Sequence, residues 1–125
     1  MREKLSRRER QIIDCIYERG RATAEDVRAD LGEDLSNSTV RTLLSILEEK
    51  GLVRHEAEGK RYVYVPTIPA AEAGIEALRK VVKTFFADSA TNAMAAFIEA
   101  ADARLTDGEF DRLAALIEAA KAEKR

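Results

Sequence analysis

The sequence predicts a mainly α-helical chain that carries one small β-hairpin. Two observations predict it. Six segments repeat apolar residues three and four apart, five of them behind a helix-starting hydroxyl or acid, the periodicity of a helix with one buried face. Between the third and fourth of them, residues 52–65 change to β-branched and aromatic runs around a glycine-containing turn, which is a hairpin signal.

The elements follow in order. Ser6-Arg7-Arg8-Glu9 reads as a capping box, in which the serine accepts a backbone N–H and the glutamate reaches back. Ile12, Ile13, Ile16 and Tyr17 then recur at helical spacing and Gly20 supplies a stop, giving a helix over 7–19. Thr23-Ala24-Glu25-Asp26 opens a short second helix that turns Val27 and Leu31 inward and ends at Gly32. In SNSTVRTLLSILEEKG, residues 36–51, Val40, Leu43, Leu44 and Leu47 form a stripe at i, i+3, i+4, i+7, closed by Gly51. In the hairpin, Tyr62 and Tyr64 alternate with Arg61, Val63 and Val65, which predicts two different faces. Pro66 and Pro69 bracket a linker.

Beyond the linker the pattern is helical again. Residues 70–86 carry Ile75, Leu78, Val81, Val82, Phe85 and Phe86. Asp88 or Ser89 caps a helix with Met94, Phe97 and Ile98, and a capping box at Thr106–Glu109 leads into Phe110, Leu113, Leu116 and Ile117. There is no internal repeat.

Bulk properties narrow the class. With 46% apolar and 35% charged residues among 125, the chain can bury a core and is too polar for a membrane protein. No apolar run reaches the ~20 residues that span a bilayer. The start MREKLSRRERQ lacks the apolar stretch of a secretory signal, and a single cysteine, Cys15, points to a reducing compartment. A cytoplasmic protein with no membrane partner is expected. The net charge of −2 argues against wholesale polyanion binding but not against a local patch. Residues 1–10 hold five basic and two acidic side chains.

Three helices and a hairpin within about 65 residues match the order of a winged helix-turn-helix domain, expected over 1–66 and followed by a helical region over 67–125. In that arrangement the third helix enters the DNA major groove, and the hairpin, or wing, lies along the backbone. The third helix suits this demand. Opposite its apolar stripe it carries Ser38, Arg41, Thr42 and Ser45, short hydroxyls that allow close approach and an arginine able to grip guanine with two donors. Glu48 and Glu49 fall at its far end. Lys60 and Arg61 at the wing offer phosphate contacts, with Arg7, Arg8 and Arg10 as further candidates.

TAEDV at 23–27, STVRTLLSILEEKGLVRH at 38–55 and GKRYVYVP at 59–66 resemble the penicillinase-repressor (BlaI/MecI) family of bacterial winged-helix regulators. KTFF at 83–86 and LTDGEFDRLAALIE at 105–118 extend the resemblance over nearly the whole chain. It implies a homodimer that binds an inverted-repeat operator and blocks transcription, with Ser38, Thr39, Arg41 and Thr42 at the DNA-contacting positions and Lys60 and Arg61 on the wing. It also implies that the C-terminal helices hold the dimer. The apolar set there is Ile75, Leu78, Val82, Phe85, Phe86, Phe97, Leu113, Leu116 and Ile117, and three short helices make a thin core unless a second copy covers them.

One departure bears on control. The best-studied branch of the family is inactivated by proteolysis between an asparagine and a phenylalanine. The corresponding phenylalanine is Phe97, but Ala96 precedes it, so Ala96–Phe97 is a candidate control site for a regulatory protease of looser preference. The copper-sensing branch has a cysteine-rich tail, whereas this chain closes KAEKR, and copper control through that motif is not expected.

The remaining chemistry-bearing residues read as structural. Cys15 sits among Ile12, Ile16 and Tyr17 as a small core side chain, and His55 has no second ligand at metal spacing. No carboxylate pair is tied to a nucleophile and there is no glycine-rich phosphate loop, so neither enzymatic activity, metal nor cofactor is expected. Two rival readings keep the fold: a winged helix that docks a protein instead of DNA, and a DNA-binding regulator controlled by a ligand at the domain or dimer interface.

Overall fold

The computed structural model describes residues 4–32, 34–101 and 104–124; Arg2 of the basic start lies outside them. Helix α1, Arg7–Arg19, starts at the capping box the sequence announces: Ser6 accepts the Glu9 N–H and Glu9 accepts the Ser6 N–H. Gly20, at φ 84°, turns the chain out of the helix. A two-residue strand, β1 (Ala22–Thr23), leads into α2 (Ala24–Leu31), where Thr23 and Asp26 form a second capping box. Helix α3 covers Asn37–Glu49 behind the N-cap Ser36. Strands β2 (Val53–Glu58) and β3 (Arg61–Pro66) follow, then α4 (Ala70–Phe85), α5 (Ala90–Ala101) and α6 (Asp107–Glu123).

The sheet has the order β1-β3-β2, antiparallel throughout. The hairpin is therefore two strands of a three-stranded sheet, and β1 is an element the sequence does not announce. Two residues are too short to carry a periodicity, and their pairing with Val63 and Tyr64 is set about forty residues away. The two faces of β3 do not divide into one buried and one exposed, because neighbours Val63 and Tyr64 are both buried. Tyr64 faces the core, while Val63 lies between Thr23 and Glu56 on the flanking strands, whose side chains share its face.

One core joins these pieces. Ile12, Ile16, Val27, Val40, Leu44, Leu47 and Val53 are fully buried together, and Leu5, Tyr17, Leu31, Leu43 and Leu52 pack at its margin. The stripe on α3 is what fixes that helix to the body. Glu9 is also buried, in an ion pair with Lys50 at 3.0 Å that ties the start of α1 to the end of α3. The linker is pinned as well: the Tyr17 hydroxyl donates to the Ile68 carbonyl and the Thr67 hydroxyl to the Gly51 carbonyl.

The chain divides into two compact units, 1–75 and 76–125, and the division falls within α4. In the second unit α4 gives way to α5 through Ala87 and Asp88, both at positive φ, and Ser89 rather than Asp88 caps α5 by accepting the Asn92 N–H. Thr106 and Glu109 form the expected capping box of α6. Neither α4 nor α6 buries a side chain. Leu78 (61%), Phe85 (75%) and Phe97 (69%) are among the most exposed large apolar side chains of the chain.

Candidate nucleic-acid interface

The site begins with how α3 is presented. Val40, Leu44 and Leu47 are buried, so the opposite side of the helix must face outward, and Ser38, Thr39, Arg41, Thr42 and Ser45 are all exposed. Ser36 accepts the Thr39 N–H at 3.1 Å and its own hydroxyl donates to Thr39 Oγ1 at 2.9 Å. The Thr42 hydroxyl donates to the Ser38 carbonyl at 3.0 Å, one turn back. Two of the predicted contact hydroxyls are thus engaged within the helix, whereas those of Ser38 and Ser45 have no partner among the described residues. The first turn of α3 contains no acidic residue, so no side chain of that turn offsets the positive end of its dipole.

The wing supplies the second wall. Glu58 and Arg61 pair across a two-residue turn, and Gly59 holds φ 64° at its first position, where a side chain would be strained. The charges on the wing divide into two groups. Arg54 pairs with Glu56 at 2.7 Å, and Arg21 pairs closely with Glu58 and lies 3.9 Å from Glu56. Lys60 and Arg61 have no ion-pair partner among the described residues, and nor has Arg41.

These three unpaired cations converge. A cleft of about 360 Å³ between α3, the wing and the start of α2 is lined by Arg41 and Ser45 on one side and by Lys60, Arg61, Tyr62 and Tyr64 on the other, with Thr23 and Glu25 at the end. Burial raises the Tyr64 hydroxyl pKa first, and the Glu48 and Tyr62 charges raise it further, against an opposing effect of Arg41. Asp26, whose carboxyl is held below the usual range mainly by the Thr23 N–H, also feels the Arg61 charge. The two tyrosines were legible as one face of the strand from their spacing in RYVYV; that this face meets Arg41 was not.

The other predicted cations stand differently. Arg7 and Arg10 are exposed and unpaired among the described residues, but Arg8 is held by Asp34 at 2.7 Å and by Gln11 at 3.1 Å. Glu48, at the far end of α3, is turned toward the wing and bound to His55. Ala96 and Phe97 lie inside α5, exposed but helical. Among the described residues, no three His, Cys, Asp or Glu side chains are grouped to hold a metal, and no helix is long and apolar enough to cross a membrane.

The family described as penicillinase repressor matches residues 5–119. The chain belongs to that family. Penicillinase repressors are transcriptional regulators and not enzymes, and this member has their winged-helix fold. An uncharacterized 16.5 kDa protein of Latilactobacillus sakei is 27% identical over 100 residues, 78% of this chain and 68% of that protein. The solved DNA-binding domain of the repressor BlaI is 26% identical, with a TM-score of 0.49 over 58% of this chain and 93% of that one. The structure of hsRosR-S1 shares the fold, with a TM-score of 0.60 at 22% identity over 79% of this chain and 92% of its own.

Proposed function

We propose that this penicillinase-repressor relative is a cytoplasmic transcriptional repressor that binds a palindromic DNA operator as a homodimer. Residues 1–66 form the DNA-binding domain, α3 reads base edges in the major groove, and the wing grips the backbone. One observation carries the reading: Arg41, Lys60 and Arg61, the cations of α3 and the wing without an ion-pair partner among the described residues, line a single cleft beside a helix face of short hydroxyls. A protein-docking winged helix has no need of that convergence. Base reading falls to Arg41 with Ser38 and Ser45, phosphate contact to Lys60 and Arg61, and Thr39 and Thr42 complete the surface through groups their internal hydrogen bonds leave free. Arg7 extends the phosphate contacts; Arg8 joins only by giving up Asp34.

Residues 67–125 hold the dimer through Ile75, Leu78, Val82, Phe85, Phe86, Phe97, Leu113, Leu116 and Ile117, a set in which nothing is buried within one chain. Each winged helix then occupies one half-site, with centres about one helical turn apart. Cleavage at Ala96–Phe97 by a regulatory protease would require α5 to unwind first, because proteases take extended segments. The deciding experiment is operator binding by Arg41→Ala. It should lose ~1–3 kcal/mol of base discrimination while keeping fold and assembly; an unchanged affinity in gel-shift titration would remove α3 as the reading element.

A further inference from the structure

The geometry points to Glu48 and His55 as positioning residues that lock the wing to α3 and so set the register at which Lys60 and Arg61 meet the DNA backbone. This rests on the DNA-binding reading above and concerns two residues that reading does not use.

Glu48 stands where a carboxylate has two reasons not to be. It lies in the last turn of α3, against the negative end of the helix dipole. It also falls at i, i+4, i+7 with Arg41 and Ser45, on the side of the helix that would meet phosphates. Its contacts account for it. Both carboxylate oxygens lie 2.7–2.8 Å from His55 Nδ1, and the His55 backbone N–H donates to Oε2 at 3.2 Å. The imidazole, held by this fork, stacks on Tyr62 with ring centroids 4.2 Å apart and an interplanar angle of 23°. Tyr62 lines the cleft opposite Arg41 and is two residues from Lys60. A continuous run of contacts therefore passes from α3 through β2 to the tip of β3.

The wing needs such a tie. The three-stranded part of the sheet stops at Val63, and residues 57–62 beyond it bury no side chain, so the outer hairpin is two strands without apolar anchorage, an arrangement marginal in water. Arg21 secures it from the β1 side through Glu56 and Glu58. Glu48–His55–Tyr62 is the corresponding tie on the α3 side, and it is the one that relates Lys60 and Arg61 to Arg41.

The test compares Glu48→Gln with Glu48→Ala, because both remove the charge and only the first keeps an acceptor for the imidazole and the backbone N–H. A DNA duplex is first selected from genomic DNA by the wild-type protein. Affinity for it is then measured over a range of salt concentrations, with thermal midpoints recorded for each variant. Each phosphate contact adds about 0.9 to the magnitude of the slope of log K against log salt. Glu48→Ala should therefore shallow that slope by about 2 while discrimination through Arg41 survives, and Glu48→Gln should keep the wild-type slope. A loss of general stability would not produce that division. Hydrogen exchange of the β2–β3 amides in the free protein should quicken in Glu48→Ala and in His55→Phe, which keeps the stack but not the fork, and not in Glu48→Gln. Equal slopes in Glu48→Ala and wild type, or identical behaviour of the alanine and glutamine variants, would overturn the proposal. A wild type that selects no duplex would instead overturn the DNA reading itself, and with it this inference.

Discussion

Arg41, Lys60 and Arg61 matter because of what they lack. Five other cations of the winged helix are answered by an acid: Arg8 by Asp34, Arg19 by Asp30, Arg21 by Glu58, Lys50 by Glu9 and Arg54 by Glu56. Cys15 illustrates the opposite fate, a reactive group made inert. Its buried thiol donates to Asp30, and burial followed by that carboxylate pushes its pKa up to about 12. Folded protein should therefore leave Cys15 unlabelled by a thiol reagent at pH 8, with one equivalent reacting in denaturant; rapid labelling of the native protein would contradict this burial. Asp30 shows the reverse shift, held at about 2 by the Arg19 guanidinium first and the Cys15 thiol second. Glu9 and Asp26 are lowered too, each chiefly by the backbone N–H of its capping box. A carboxyl depressed on folding stabilises above its unfolded pKa and stops doing so as pH falls through the folded one. Stability measured by urea midpoint should thus be level near neutrality and decline below about pH 5 toward pH 2, and Asp30→Asn should flatten the lowest part of that decline.

At the level of the element, α3 is built to be anchored from one side and open on the other. Replacing its N-cap, Ser36→Ala, should cost about 1 kcal/mol in chemical denaturation and fray the turn that carries Ser38 and Thr39, weakening operator binding more than that loss of stability explains. An unchanged denaturation midpoint would mean the cap contributes nothing. The helices themselves were readable because their signals are local: two capping boxes, the opening at Thr23–Asp26 and an i, i+3, i+4, i+7 stripe each lie within one segment. The strand β1 was not, since two residues form a strand only because β3 arrives beside them. The burial of Val63 next to Tyr64 is unreadable for the same reason.

At the level of the whole molecule, the two units differ in how they treat apolar surface. Residues 1–75 enclose a core, whereas α4 and α6 bury nothing and leave Phe85, Leu113, Leu116 and Ile117 open to solvent in the single chain. Large apolar side chains in such numbers mark a surface meant to be covered. Phe85→Asp with Phe86→Asp should give monomers in sedimentation and lower operator affinity by far more than tenfold, because two linked half-site contacts become separate events. A dimer persisting in that variant would take these residues out of the interface.

The sequence by itself determined the helices, the capping boxes of α1 and α6, the hairpin, the family and the outward face of α3, because each is written in neighbouring residues whose spacing sets which side is buried. Only the tertiary structure decided that Arg41 shares a cleft with Lys60 and Arg61, that Arg8 is engaged by Asp34, and that Glu48 reaches His55. Those are meetings between segments distant in the chain or brought round a turn, and their geometry follows from how α1, α3 and the sheet close on one core.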